Sequence, residues 1–134
     1  MEPIIVWYLR MSVIYLVLGA IFGVDMILWP NETGYYMPVH VHLNLLGFML
    51  MMIYGVGYHI LPRFSGRTLY SPLAVRIQFW FANAGLLGMA VSWLFVVSAA
   101  NSRLFDSMLV VSAFCSLVAV VLFAVNVLKT IKSV

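Results

Sequence analysis

Four apolar runs, each long enough to cross a bilayer, constrain this chain more than any other feature. A helix needs about 20 apolar residues to cover the ~30 Å hydrocarbon core. Runs of that kind cover roughly 4–29, 38–61, 72–97 and 104–128. In lipid every backbone N–H and C=O must find a partner inside the protein, which leaves helices or a closed barrel. Runs this continuous read as helices. The expectation is therefore an all-α membrane protein, a single four-transmembrane-helix bundle over residues 1–134. Composition agrees: 8% of the residues are charged, against about 25% in a soluble domain. Nothing reads as a cleavable signal, because the first run is too long and is followed by more apolar runs. The single cysteine, Cys115, excludes a disulfide within the chain. A net charge of +3, thinly spread, gives no argument for nucleic acid.

The segments between the runs carry Pro, Gly, Asn and Ser, and "WPNETGYYMP" and "LPRFSGRTLYSP" read as loops. Pro38 and Pro72 fit the first turn of the helices that follow. Arg63 and Arg67 lie in the second loop, Arg76 just after it, and Lys129 and Lys132 close to the C-terminal end. Arg10 can snorkel toward the N-terminal end. With four spans these residues share one side, and of the basic residues only Arg103 falls on the other. The positive-inside rule then puts both termini in the cytoplasm. Trp7, Trp29, Tyr35 and Tyr36 sit where interfacial aromatics belong. "GAIFG" (Gly19 to Gly23) and the series Ala84, Gly88, Ser92 are small-residue patterns that suit close packing, within one chain or between copies. Asn44, Asn83, Tyr54 and Gln78 are polar residues able to bridge helices.

All three histidines lie in "HVHLNLLGFMLMMIYGVGYHILP": His40, His42 and His59. An imidazole at membrane depth needs a partner, and ionisable groups there default to a functional reading. The plainer reading is solvation by water and headgroups at the two boundaries. His42 and His59 are 17 residues apart, about 25 Å along a helix, so they cannot share one metal. His40 and His42 lie about 200° apart around the axis and face opposite ways. No Cys, Asp or Glu stands beside them at ligand spacing, which argues against zinc or di-iron. A haem, with axial ligands on opposite faces, fits one imidazole from this helix and one ligand from elsewhere. Gly47, Gly55 and Gly57 would leave room for its bulk.

"HLNLLGF" at 42–48, "GVGYHILPR" at 55–63 and "IQFWFANAGL" at 77–86 resemble two successive helices of the haem-copper oxidase catalytic subunit. The nitric oxide reductase branch is nearest in wording. The resemblance covers roughly residues 36–90, a small N-terminal part of that many-spanning fold. It implies a low-spin haem b whose axial ligand is His42, with His40 as the alternative register. The family's second low-spin ligand, its copper ligands and its high-spin haem ligand belong to later helices. The chain alone would then lack the groups for oxygen or nitric oxide reduction. His59 departs from the usual wording of that helix, yet it stays a candidate cofactor-binding residue: in a parallel homodimer two His59 rings could hold a second haem, although one haem at His42 is the expectation.

The second axial ligand would come from His42 of another copy in a homodimer, or from Met26 or Met108. Asp25 is a candidate hydrogen-bond partner for a ligating imidazole or a carboxylate reaching headgroups. Arg63, Arg67 and Arg76 can attract acidic headgroups or haem propionates. The expected function is a small b-type haem protein of a bacterial or archaeal cell membrane. It would act in electron transfer with a redox partner protein, or bind a small gas. The rival is a haem-free accessory or assembly subunit of a larger oxidase. A weaker third reading is a metal or quinone carrier using the outer histidines.

Overall fold

The computed structural model describes residues 2–95 and 102–131. It contains four helices long and apolar enough to cross a membrane. These are α1 (Pro3–Leu28), α2 (Pro30–Phe64), α3 (Pro72–Phe95) and α4 (Ser102–Thr130). No strand occurs among the described residues. The chain is thus a multi-pass, all-helical membrane protein. The third expected run ended at 97; positions 96 and 97, and Lys132 among the basic residues, lie outside the described residues.

The helices alternate in direction. Tyr8, early in α1, donates its hydroxyl to the Val75 carbonyl at 2.9 Å, early in α3. Its ring also lies 6.1 Å from that of Tyr58, late in α2. The Tyr70 N–H, just before α3, donates to Thr130 Oγ1 at 3.1 Å, at the end of α4. The start of α1, the end of α2, the start of α3 and the end of α4 therefore share one end of the bundle.

The second helix is longer than the sequence suggested. "WPNETGYYMP" is not a loop: after Trp29 a 3-10 turn (Pro30–Glu32) leads straight into helix at Thr33–His42. Pro38 is accordingly inside the helix, not in its first turn. A proline there removes one hydrogen bond and crowds the carbonyl four residues back. That residue is Gly34, which is exposed at the helix start, where water can take the freed carbonyl. Residues Leu43–Leu50 then follow a wider π-helical path before α-geometry resumes at Met51–Phe64. Pro62 lies inside the last stretch. The true loop is only 65–71. It opens on Gly66, at φ 61°. The Gly66 and Arg67 N–H groups return to the Arg63 and Pro62 carbonyls at 3.2 and 3.0 Å, a Schellman ending. It closes where Ser71 Oγ caps the Ala74 N–H at 3.2 Å. Pro72 follows in the first turn of α3, as its sequence position predicted.

Glycines set the helix approach. A Cβ at Gly19 would stand 2.5 Å from the Asn44 amide, and one at Gly47 would stand 2.6 Å from Tyr15 Cβ. At Gly55 it would meet the Leu9 side chain at 2.9 Å. The α1–α2 crossing is therefore built within one chain, which settles what the Gly19–Gly23 pattern does here. The α3–α4 pair is the most extensive in the bundle. Its small-residue face is Gly85 and Gly88 against Ser116 and Ser112. Ala84, expected on that face, is exposed instead. The room that Gly47, Gly55 and Gly57 leave is filled by Tyr15, by Tyr8 with Leu9, and by Phe123. That space is not open to a cofactor.

The interior is aromatic and polar at once. Tyr8, Tyr15, Tyr58 and Gln78 are all essentially inaccessible. Tyr8 packs edge-on to Phe79 at 5.1 Å and to Tyr54 at 5.9 Å. Asn83 and Gln78 do bridge helices, accepting from the Tyr15 and Tyr58 hydroxyls respectively. Tyr54 contributes ring contacts with Tyr8 and Phe123.

Gly47→Leu should destabilise the protein by about 1–3 kcal/mol, because the close α1–α2 approach at Gly47 admits no side chain. Gly34→Ala should leave it unchanged or slightly firmer, since nothing lies within 4 Å of a methyl there. Reversible unfolding in mixed detergent micelles measures both; equal effects would contradict this account of the crossing.

Candidate functional site

His40 and His42 occupy the last turn of the α-helical stretch before the π segment begins. As the helical angle required, they face opposite neighbours. The His40 ring lies on α1, where a Cβ at Gly23 would stand 3.1 Å from its Cε1. Its Nδ1 is 2.8 Å from the Gly19 carbonyl oxygen. The His42 ring lies toward α3, 4.4 Å from the Trp93 ring and tilted 48° to it. Its Nδ1 is 2.9 Å from the Pro38 carbonyl oxygen, one turn back in the same helix.

Both contacts have the same chemical consequence. A carbonyl oxygen only accepts, so each Nδ1 must carry the hydrogen and donate. In a neutral ring that choice leaves the lone pair on Nε2, the atom a metal-binding imidazole would use. Carbonyls of Gly19 and Pro38 thus take the anchoring place that the sequence offered to Asp25. Asp25 itself is half-buried near the end of α1. Asn44 supports the His40 side: its amide donates to the His40 carbonyl at 2.8 Å and fills the gap over Gly19. Its 3.5 Å approach to His40 Nδ1 is not a further bond, because both nitrogens are donors.

His59 is in a different situation. It lies one turn before Arg63, whose guanidinium donates to its Nε2. The lone pair that a neutral His40 or His42 keeps is already engaged there. His59 and Arg63 also line a pocket at the opposite end of the helix, beside Glu2 and Thr68. The imidazoles therefore form an outer pair and a distant third, and the structure brings no two of them to one point.

Met26 lies near the end of α1, less than a turn beyond Gly23 and the His40 ring. Met108 lies one turn before Ser112, which packs on Gly88. This puts Met108 at the level of Ser92, next to Trp93. Both methionines are thus in the layer of the outer histidines. No group of three or more His, Cys, Asp or Glu gathers among the described residues. His40 and His42 each present a single imidazole to a different neighbouring helix. Buried tyrosines fill the bundle centre.

Trp93, the Gly19 carbonyl and the Asn126–Ser71 pair were not singled out from the sequence. Asn126 holds the loop before α3 through both Ser71 backbone groups, at 3.0 Å each. A lone tryptophan in an apolar run, or an asparagine near a helix end, gives no signal of its partner. The Gly19–Gly23 spacing did indicate a close approach, but not that an imidazole would fill it. Comparisons with protein families, with characterised proteins and with solved structures find no match for this chain.

Nitrogen-15 solid-state NMR of histidine-labelled protein at neutral pH should show His40 and His42 with protonated Nδ1 and bare Nε2. Finding both rings protonated at Nε2 instead would overturn the carbonyl anchoring.

Proposed function

We propose that the chain is a small b-type haem-binding membrane protein of the haem-copper oxidase lineage, with His42 as an axial ligand. The observation that carries this reading is the H-x-N-L-L wording beginning at His42. It is supported by an imidazole whose Nδ1–H is tied to the Pro38 carbonyl. That tie fixes ring orientation and raises the basicity of Nε2, the usual outer support of a ligating histidine. His40, anchored on Gly19, is the alternative ligand. Such a haem would supply one-electron transfer when both axial positions are filled, or small-gas binding when one is open.

With the bundle centre filled, the group would lie against an outer face of the helices. The second ligand would then come from Met26, Met108 or the His42 of a second copy. The lipid-facing stripe Leu45, Met49, Ile53, Val56 and Ile60 of α2 is the surface along which a parallel second α2 would pack. A homodimer would bring two His42 rings to one depth. Of the six basic residues among the described ones, five (Arg10, Arg63, Arg67, Arg76 and Lys129) fall on one side of the four alternating spans and Arg103 on the other. This supports cytoplasmic termini. His42 would then lie in the outer leaflet.

The filled interior also favours a second reading: a haem-free accessory subunit that packs onto a larger oxidase. One experiment separates the two. Protein purified in mild detergent should show a Soret band, and His42→Ala should abolish or strongly shift it. One haem per two chains supports the shared site; one haem per stable monomer supports a methionine ligand. A colourless protein after haem supplementation leaves the accessory reading. A spectrum lost in His40→Ala but kept in His42→Ala moves the ligand by two residues. Reporter fusions at Gly34 and Gly66 should read outside and inside; the reverse would invert the orientation.

A further inference from the structure

At the end of the bundle away from His40 and His42, a pocket of about 470 Å³ opens between the start of α1, the end of α2 and the 65–71 loop. Its walls are chemically divided. Glu2, His59, Arg63 and Thr68 supply polar groups, while Ile5 and Leu69 supply apolar ones. Helices end and a loop begins at this level, so the pocket lies at the boundary between headgroups and hydrocarbon.

The charges narrow the ligand. His59 accepts from Arg63 through Nε2 and must be neutral to do so. It adds no second cation. Among the lining side chains Arg63 is the one fixed cation and Glu2 the one carboxylate, and the N-terminal ammonium, next to Glu2 in sequence, also acts on His59. An anionic headgroup would satisfy Arg63 and oppose Glu2. A simple cation would do the reverse. A molecule with a phosphodiester and an ammonium a few bonds apart satisfies both. A guanidinium has five N–H donors, and His59 takes only one of them. The Thr68 hydroxyl is a further donor for phosphate oxygens. A primary ammonium can hydrogen-bond a carboxylate, whereas a quaternary one has no hydrogen to donate. The Ile5 and Leu69 side suits the start of acyl chains rather than water.

We propose that this pocket binds the headgroup of a phosphatidylethanolamine-type lipid, with its phosphate on Arg63 and Thr68 and its ammonium on Glu2. The site requires only that the chain spans a membrane, so it stands apart from the haem reading.

The test uses the full chain in mild detergent. Phosphatidylethanolamine, phosphatidylcholine and phosphatidylglycerol of matched chains are added separately. Retained lipid is counted by native mass spectrometry, and thermal protection is measured alongside. The wild type should retain phosphatidylethanolamine several-fold over the other two. Glu2→Gln should reduce it to the phosphatidylcholine level, and Arg63→Gln should weaken retention of all three. Thr68→Val, in the exposed loop, serves the phosphate arm should Arg63→Gln fail to fold. Glycerophosphoethanolamine, which has the headgroup without chains, should compete poorly. Equal retention of phosphatidylethanolamine and phosphatidylcholine by the wild type would overturn the proposal. So would a preference for phosphatidylglycerol, an unaltered Glu2→Gln variant, or full competition by the chain-free headgroup.

Discussion

The contact on which the rest of this bundle depends is the close crossing of α1 and α2 over glycine. In lipid there is no water to drive apolar surfaces together, so helices associate through packing and interhelical hydrogen bonds. Here Gly19, Gly47 and Gly55 each sit where any Cβ would collide with the neighbouring helix. Their absence of side chains lets Tyr15, Leu9 and Asn44 settle directly onto backbone. That proximity brings the Gly19 carbonyl within reach of His40. It also aims Tyr8 and Tyr15 across to α3, where Val75 and Asn83 accept their hydroxyls. One steric condition thus orders the outer histidine layer and the buried polar contacts together.

The π-helical stretch lies at the same crossing. Leu43–Leu50 carries both Asn44 and Gly47, the residues that meet α1. Widening the turn there shifts the angular relation between the histidine turn above and the Tyr54–Tyr58 turn below. Such widened turns recur at functional positions, and this one begins immediately after His42. The cost of Pro38 in the preceding turn is confined to an exposed glycine carbonyl at the helix start.

The two ends of α2 have opposite chemical character. At one end His40 and His42 are rings held by backbone carbonyls through Nδ1. At the other, His59 spends its Nε2 lone pair on Arg63 and joins a pocket containing a cation and a carboxylate. The proposed haem would draw on the first arrangement, and the proposed lipid headgroup on the second. Between them the bundle centre is closed by tyrosines, Gln78 and Asn83. Any cofactor must therefore be met at the perimeter, where lipid, a second copy or a larger partner would also lie.

The sequence alone determined the class and the count of spans. Long uncharged runs leave the backbone no partners but its own, and that requirement does not depend on tertiary contacts. It also determined that His40 and His42 face apart, since helical geometry fixes angles between near neighbours, and that Pro72 opens a helix. Only the tertiary structure decided that 33–42 is helical through Pro38, because turn-forming composition is a local preference that a continuous helix can override. It decided what fills the glycine gaps: side chains of other helices, whose register no local pattern encodes. It replaced Ala84 by Gly85 on the α3–α4 face, since a fourfold spacing does not say which of two adjacent stripes meets the neighbour. And it chose the partners of the histidines, two backbone carbonyls and a tryptophan ring, because every residue carries a carbonyl and only the fold brings a particular one to an imidazole.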